Sequence, residues 1–142
     1  MTNTSRSLVL VKPDGVARSL TGEILRRIEA KGYRIVNLDM RTADDALLEQ
    51  HYAEHVGKPF YAPLVEFMGS GPLVALVVEG VRVIDGIRSL IGATDPTLAA
   101  PGSIRGDLAR DAGLAVQQNL AHASDSPESA DREIALWFPA AS

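Results

Sequence analysis

The stretch Asn119-Leu120-Ala121-His122-Ala123-Ser124-Asp125-Ser126 sets a histidine just ahead of a helix start. Ser126 suits an N-cap, Pro127 the first helical position, and Glu128 the positive end of the helix dipole. Unpaired backbone N–H groups at such an end attract phosphate. An imidazole beside an anion site can then act as a phosphate-accepting nucleophile. The same window also fits a histidine that only completes a capped turn, so other residues must decide.

No G-x-x-x-x-G-K-[ST] stretch occurs, which excludes a P-loop. Gly69-Ser70-Gly71 lacks a following lysine and reads as a turn leading into a strand. Phosphate would therefore be held by side chains and helix ends, with Lys12, Arg88 and Arg105 as candidates. Each alone also reads as a solvated surface charge. Arg105, between Ile104 and Gly106, is the most suggestive, because a glycine beside an arginine lets a bidentate donor approach phosphate closely. His51-Tyr52-Ala53-Glu54-His55 matches H-x-x-E-H, whose two histidines would share a helix face as in an inverted zinc protease. Such a protease needs a third ligand on another helix and usually a larger domain. The alternative is that one ring meets solvent or substrate while the other packs.

The elements that must position these groups follow from periodicity. Leu8-Val9-Leu10-Val11 is a continuous apolar run, a buried strand that enters a turn at Lys12-Pro13-Asp14-Gly15. Ile24, Leu25 and Ile28 fall at helical spacing from an N-cap at Thr21 to a stop at Gly32. Val36, Leu38 and Met40 alternate with Asn37 and Asp39, which predicts a strand with one buried face. Helices are predicted over 43–55, 61–68 and 83–91, and a third strand over 73–78. A long loop follows from Ala93 to about Gln118, of a length usually reserved for function. A short strand near Asn119, a helix from Pro127 to about Arg132 and an apolar tail through Trp137 and Phe138 close the chain. This order predicts an α+β, ferredoxin-like sandwich, a four-stranded antiparallel sheet with helices packed on one face.

Bulk composition narrows the function classes. The 142 residues are 46% hydrophobic and 23% charged, an ordinary globular balance for a single domain over 1–142. A net charge of −4 argues against non-specific coating of nucleic acid, and no specific nucleic-acid partner is inferred. The chain has no cysteine, hence no disulfide and no thiolate chemistry. Neither a signal-peptide core nor a membrane-length apolar run is found, so a cytoplasmic protein is expected.

Lys12-Pro13-Asp14-Gly15, His51 through His55, Ser70-Gly71-Pro72, Arg105-Gly106-Asp107 and Asn119 through Ser126 occur in one order along almost the whole chain. Ser129-Ala130 and Glu133 through Phe138 extend the pattern. Together these residues resemble the nucleoside diphosphate kinase family. The resemblance implies ping-pong transfer of a γ-phosphoryl group between nucleotides through a phosphohistidine, with broad base tolerance and a role in maintaining nucleotide pools. It matches His122 to the nucleophile, Glu133 to the carboxylate orienting it, and Ser124 to a nearby hydroxyl. Lys12, Tyr52, His55, Arg88, Thr94, Arg105 and Asn119 match residues around the phosphates and ribose, with Lys12 and Asn119 on the sugar hydroxyls. Phe60 matches the aromatic on which the base stacks, and Asp125 a residue near the phosphate-bridging Mg²⁺. A homo-oligomer is also implied, a hexamer or in some bacterial members a tetramer. Two features depart from the family pattern. Ala123 stands where the family has glycine, and about four surplus residues near Gly113–Val116 separate Arg105 from Asn119. The apolar contact to the base would come from this stretch, from Ala112 or Val116. A second reading keeps the fold but makes it a nucleotide-binding or regulatory protein. The intact His122, Glu133, Arg88 and Arg105 favour the kinase.

Overall fold

The computed structural model describes residues 4–114, 116 and 118–141. Strands β1 (Thr4–Val11), β2 (Arg34–Arg41), β3 (Leu73–Val81) and β4 (Ala121–Ala123) form one sheet in the order β2-β3-β1-β4. Every neighbouring pair is antiparallel. The helices are α1 (Pro13–Ala17), α2 (Thr21–Ala30), α3 (Asp45–His51), α4 (Tyr61–Met68), α5 (Val83–Ile91), α6 (Ile104–Leu108) and α7 (Pro127–Trp137).

Helices cover both faces of the sheet, not the one face expected. Val9 and Val11 pack with Ile24, Ile28 and Ile87 from α2 and α5. Leu8 and Leu10 pack on the opposite face with Leu48, Met68, Ile134 and Trp137 from α3, α4 and α7. A run with no polar alternation is the mark of a strand buried twice over. All four residues of the Leu8–Val11 run are fully buried, at about 1.5–3 kcal/mol of hydrophobic stabilisation each.

Strand β2 also departs from expectation. Its pairing with β3 slips between Ile35 and Asn37, so Val36 is an extra residue. The slip reverses the alternation: Val36 packs with the α3/α4/α7 layer, whereas Leu38 and Met40 stand opposite Leu76 and Val74, on the other face. On this edge strand Leu38 and Met40 remain 56% and 58% exposed.

Near the site, four boundaries shift. Lys12–Gly15 is not a plain turn. Pro13 opens the short helix α1, where its missing N–H costs nothing. The long loop contains α6, capped by Ser103, whose Oγ accepts the Gly106 N–H at 3.0 Å. Helix α7 runs to Trp137 instead of ending near Arg132, because Ala130, Glu133, Ile134 and Trp137 share its buried face. The predicted 43–55 helix stops at His51, and Ala53–His55 forms a separate 3₁₀ turn. Among the described residues no helix is long and apolar enough to cross a membrane.

Candidate functional site

Strand β4 and helix α7 bring His122, Ser124 and Glu133 together. His122 lies opposite Leu10 of β1, and the Ser126 cap fixes the start of α7 by accepting the Ser129 N–H at 3.1 Å. Glu133 Oε1 lies 3.0 Å from His122 Nε2 and accepts the Ser124 hydroxyl at 2.9 Å. Ser124 Oγ in turn accepts the Leu8 N–H at 3.0 Å. Burial would push the Glu133 carboxyl up, but the His122 hydrogen bond and its charge, helped by Ser124, bring it below the usual range. Against an ionised carboxylate the His122 proton sits on Nε2, which leaves the lone pair on Nδ1. The ring is thereby prepared to attack an electrophile through Nδ1.

A second wall carries positive charge. Lys12 Nζ donates to Asn119 Oδ1 at 2.8 Å, and Asn119 Nδ2 donates to the Thr94 carbonyl at 2.9 Å. Burial, then the Arg105 charge, lower the Lys12 ammonium to about 8 against the opposing pull of Asp14. Arg105 is almost buried, and its guanidinium donates to the carbonyls of Gly92, Asn119 and Ala121. Burial and the charge of Arg88 bring it down to about 10, so it stays protonated at neutral pH. Gly106 has a steric reason to be glycine: a Cβ there would come within 1.9 Å of the Ala100 carbonyl oxygen. The glycine beside Arg105 therefore serves the seating of α6.

Strain sits between the two walls. Leu120, fully buried, has φ 75°, a conformation costing a non-glycine residue about 1–2 kcal/mol. Its N–H donates to Asp14 Oδ2 at 3.1 Å, and its carbonyl accepts the Lys12 N–H at 2.8 Å. Burial, opposed by Lys12 and the Leu120 N–H, raises the Asp14 carboxyl. Asp14 Oδ1 is buried without a hydrogen-bond partner among the described residues.

The two walls enclose a cleft of about 460 Å³, within the usual range for a small-molecule site. Lys12, Tyr52, His55, Arg88, Thr94, Arg105, Asn119, His122, Asp125 and Glu133 all line it. Ser124 lies behind Glu133, fully buried. Phe60 stands beside the cleft, 44% exposed, its ring edge-on to His55 at 5.1 Å. Burial, and secondarily the Glu133 charge, hold the Tyr52 phenol protonated. His55 Nδ1 is buried without a hydrogen-bond partner among the described residues, a donor or acceptor open to a ligand.

The zinc-protease pattern does not survive as drawn, because the helix ends at His51 and breaks the i, i+4 face. His51 instead approaches His122 and Glu133, one potential ligand atom from each lying within 4.8 Å of the others. Among the lining residues that sequence reasoning left without a role are His51, Glu54, Ser129 and Arg132. The H-x-x-E-H match had marked His51, for the wrong chemistry. Arg132 donates to the Gln50 and His51 carbonyls, a tertiary contact without a sequence signal. At the surplus stretch, the Gly113 N–H donates to Asp111 Oδ1 at 2.8 Å, and Ala115 lies outside the described residues. Neither Ala112 nor Val116 lines the cleft.

Comparison with known proteins identifies the family. The family model described as nucleoside diphosphate kinase matches residues 5–142. Nucleoside diphosphate kinases of Streptomyces coelicolor and Saccharopolyspora erythraea are 64% and 61% identical over 137 residues, 96% of this chain and 97–98% of theirs. The structure of the Halobacterium salinarum enzyme in complex with CDP superposes with a TM-score of 0.89 at 46% identity, covering 94% of this chain and 87% of that one. A transition state mimic of the Borrelia burgdorferi enzyme with vanadate and ADP gives 0.89 at 36% identity, covering 96% and 88%. With the family model matching nearly the whole chain and relatives identical at about three residues in five, the chain belongs to the nucleoside diphosphate kinase family of phosphotransferases.

Proposed function

We propose that this chain, as a single domain over 1–142, moves the γ-phosphoryl group of a nucleoside triphosphate to a nucleoside diphosphate through a phosphohistidine at His122, and so maintains nucleotide pools. The observation that carries the reading is the 3.0 Å contact of His122 Nε2 with Glu133 on the wall of a cleft lined by Lys12, Arg88 and Arg105. The His122 Nδ1 lone pair attacks the γ-phosphorus, an N–P bond forms, and the β,γ bridging P–O bond breaks. The leaving diphosphate keeps that electron pair. A second diphosphate then attacks the phosphohistidine, the N–P electrons return to Nδ1, and the triphosphate departs. Such transfer depends chiefly on positioning and charge neutralisation. Lys12, Arg88 and Arg105 supply the positive charge, and Tyr52, His55 and Thr94 the polar contacts. Lys12 and Asn119 meet the sugar hydroxyls.

Mg²⁺ fits the donor set. That cation takes one or two carboxylates and fills its shell with waters and phosphate oxygens. Asp125 is an exposed carboxylate on the cleft wall and would hold it, directly or through water. The bound cation would neutralise charge on the bridged phosphates. The exposed Phe60 ring offers a stacking face and no base-edge reader, which suits broad base tolerance. Self-association as a hexamer or tetramer would cover the exposed Leu38 and Met40 on edge strand β2, and a cytoplasmic location completes the reading.

Incubation with Mg·ATP alone tests the core of this proposal. Wild type should acquire an acid-labile phosphate and pass it to an added diphosphate, whereas His122→Asn should take none. Label retained by His122→Asn would remove His122 as the nucleophile. A wild type that binds nucleotide without exchange would favour the regulatory reading.

A further inference from the structure

His51 is 4% exposed and ends helix α3. Its ring meets the His122 ring edge-on, with centroids 4.7 Å apart and planes at 73°. On its other side the Trp137 indole Nε1 donates to His51 Nδ1 at 3.0 Å. Trp137 is itself fixed: its carbonyl accepts from Arg41 at 2.9 Å, and the Arg41 guanidinium lies 5.6 Å from its ring. An indole nitrogen only donates, so His51 Nδ1 must be the unprotonated nitrogen. Burial first, and the charge of His122 second, pull His51 down to about 3. His51 is therefore a neutral ring with its proton on Nε2.

We propose that His51 is a positioning residue, a fixed ring wall that holds the His122 imidazole in the rotation where Nε2 meets Glu133 and Nδ1 faces the cleft. The proposal rests on the reading of His122 as the phosphate acceptor. Rotation of an imidazole about Cβ–Cγ is broad, without sharp wells. The single Glu133 contact pins one nitrogen and leaves the ring free to tilt. An edge-on neighbour at 4.7 Å removes that tilt. Neutrality matters equally, because a cationic His51 would compete with His122 for the Glu133 carboxylate. The same tautomer argues against a metal on His51, His122 and Glu133. Nδ1 is engaged by Trp137, and a protonated Nε2 has no lone pair to give.

The test is single-turnover phosphorylation of the full chain by Mg·ATP, with ADP affinity measured in parallel. His51→Ala should slow phosphorylation by about 10–100-fold while ADP affinity stays within about threefold. His51→Phe, which restores a flat ring but no nitrogen, should recover roughly tenfold of that loss. A His51→Ala rate within about twofold of wild type would overturn the proposal. So would a His51→Phe no faster than His51→Ala. If neither variant folds, the ¹⁵N–¹H spectrum of wild type decides, with a neutral Nε2–H form expected at His51 near pH 7. A proton on Nδ1, or a cationic ring, would overturn it. A wild type that takes no phosphate while showing the expected tautomers would refute the function proposed above and leave the His51 geometry standing.

Discussion

The two walls of the cleft are built on opposite electrostatic principles. On the nucleophile wall each polar group finds its complement: the Leu8 N–H, the Ser124 hydroxyl, the Glu133 carboxylate and His122 Nε2 form a closed chain of donors and acceptors. On the phosphate wall like charges accumulate: burial first, then the neighbouring cation, lowers each group, with Arg105 acting on Lys12 and Arg88 on Arg105. Among the described residues one wall is satisfied without a ligand, apart from the His122 Nδ1 lone pair. The other carries buried cations that an anion would stabilise, the arrangement expected of groups aimed at a transferring phosphoryl. Both walls also mix short and long reach along the chain. The reacting pair is local, with Glu133 eleven residues from His122, whereas the contacts that seat each wall are distant, Leu8 to Ser124 across 116 residues and Lys12 to Asn119 across 107.

Substitution on each wall should separate these principles. Glu133→Gln keeps the shape of the side chain and removes the charge that orients His122. Phosphorylation should slow by roughly 10²-fold, with little change in nucleotide affinity or Tm. Arg105→Lys should act differently, because a lysine cannot span the carbonyls of Gly92, Asn119 and Ala121. Each buried carbonyl left unpaired costs about 1–3 kcal/mol, so Tm should fall together with nucleotide affinity. Equal loss of rate and affinity in Glu133→Gln, or an unchanged Tm in Arg105→Lys, would erase the distinction between the walls.

The same difference explains what could be read from the chain. Ser126, Pro127 and Glu128 announced the start of α7 because capping is local chemistry, and the 83–91 helix was legible from its apolar spacing. The continuous Leu8–Val11 run held the signal for a sheet covered on both faces, although a one-faced sheet was expected. Helix α6 was missed because five residues are too few to display a period. The bulge at Val36 left no local mark, and it turned Leu38 and Met40 away from the layer that receives Val36. Of the site, the family pattern gave roles to many of the side chains that line the cleft, though not to His51 or Arg132. It was silent on Leu120, whose φ of 75° is imposed by Asp14 and Lys12 from the far end of the chain. Contacts across a hundred residues are tertiary facts, and sequence windows do not contain them.

A smaller effect should come from pH. Lys12 titrates at about 8, so its charge is present below that pH and lost above it. The kcat/KM for Mg·ATP, which reports the free enzyme, should therefore be level below about pH 8 and fall up to tenfold per unit above it. Stability should move the other way. The unfolded chain holds the Lys12 proton up to about 10.5 and the folded chain only to about 8, so between these values the unfolded state binds more protons. Through this group, raising the pH across that window favours the fold. Loss of activity between about pH 8 and 10 with no accompanying loss of Tm would identify Lys12 titration in place of unfolding. Lys12→Arg should move the limb upward. A limb unmoved in that variant would assign the titration to another group.

The smallest effect concerns Ala123, where the family pattern has glycine. Glycine can be required for a positive φ or for close approach of the backbone to a ligand. The first need is absent here. Ala123 is paired in extended β4 with Val9, and the left-handed residue of this segment is Leu120. The second need remains open to measurement, since Ala123 lines the cleft beside His122. Its methyl is the smallest side chain that could intrude, and it packs against the cluster containing Val9 and Val11. Ala123→Gly should therefore cost stability, about 0.5–1 kcal/mol from added backbone freedom in a strand. Turnover should change by less than about tenfold, or 1.4 kcal/mol. An inert wild type restored by Ala123→Gly would mean that the methyl occupies the space of the transferring phosphate. The satisfied wall would then be complete yet obstructed, and this chain a nucleotide-binding member of a catalytic family.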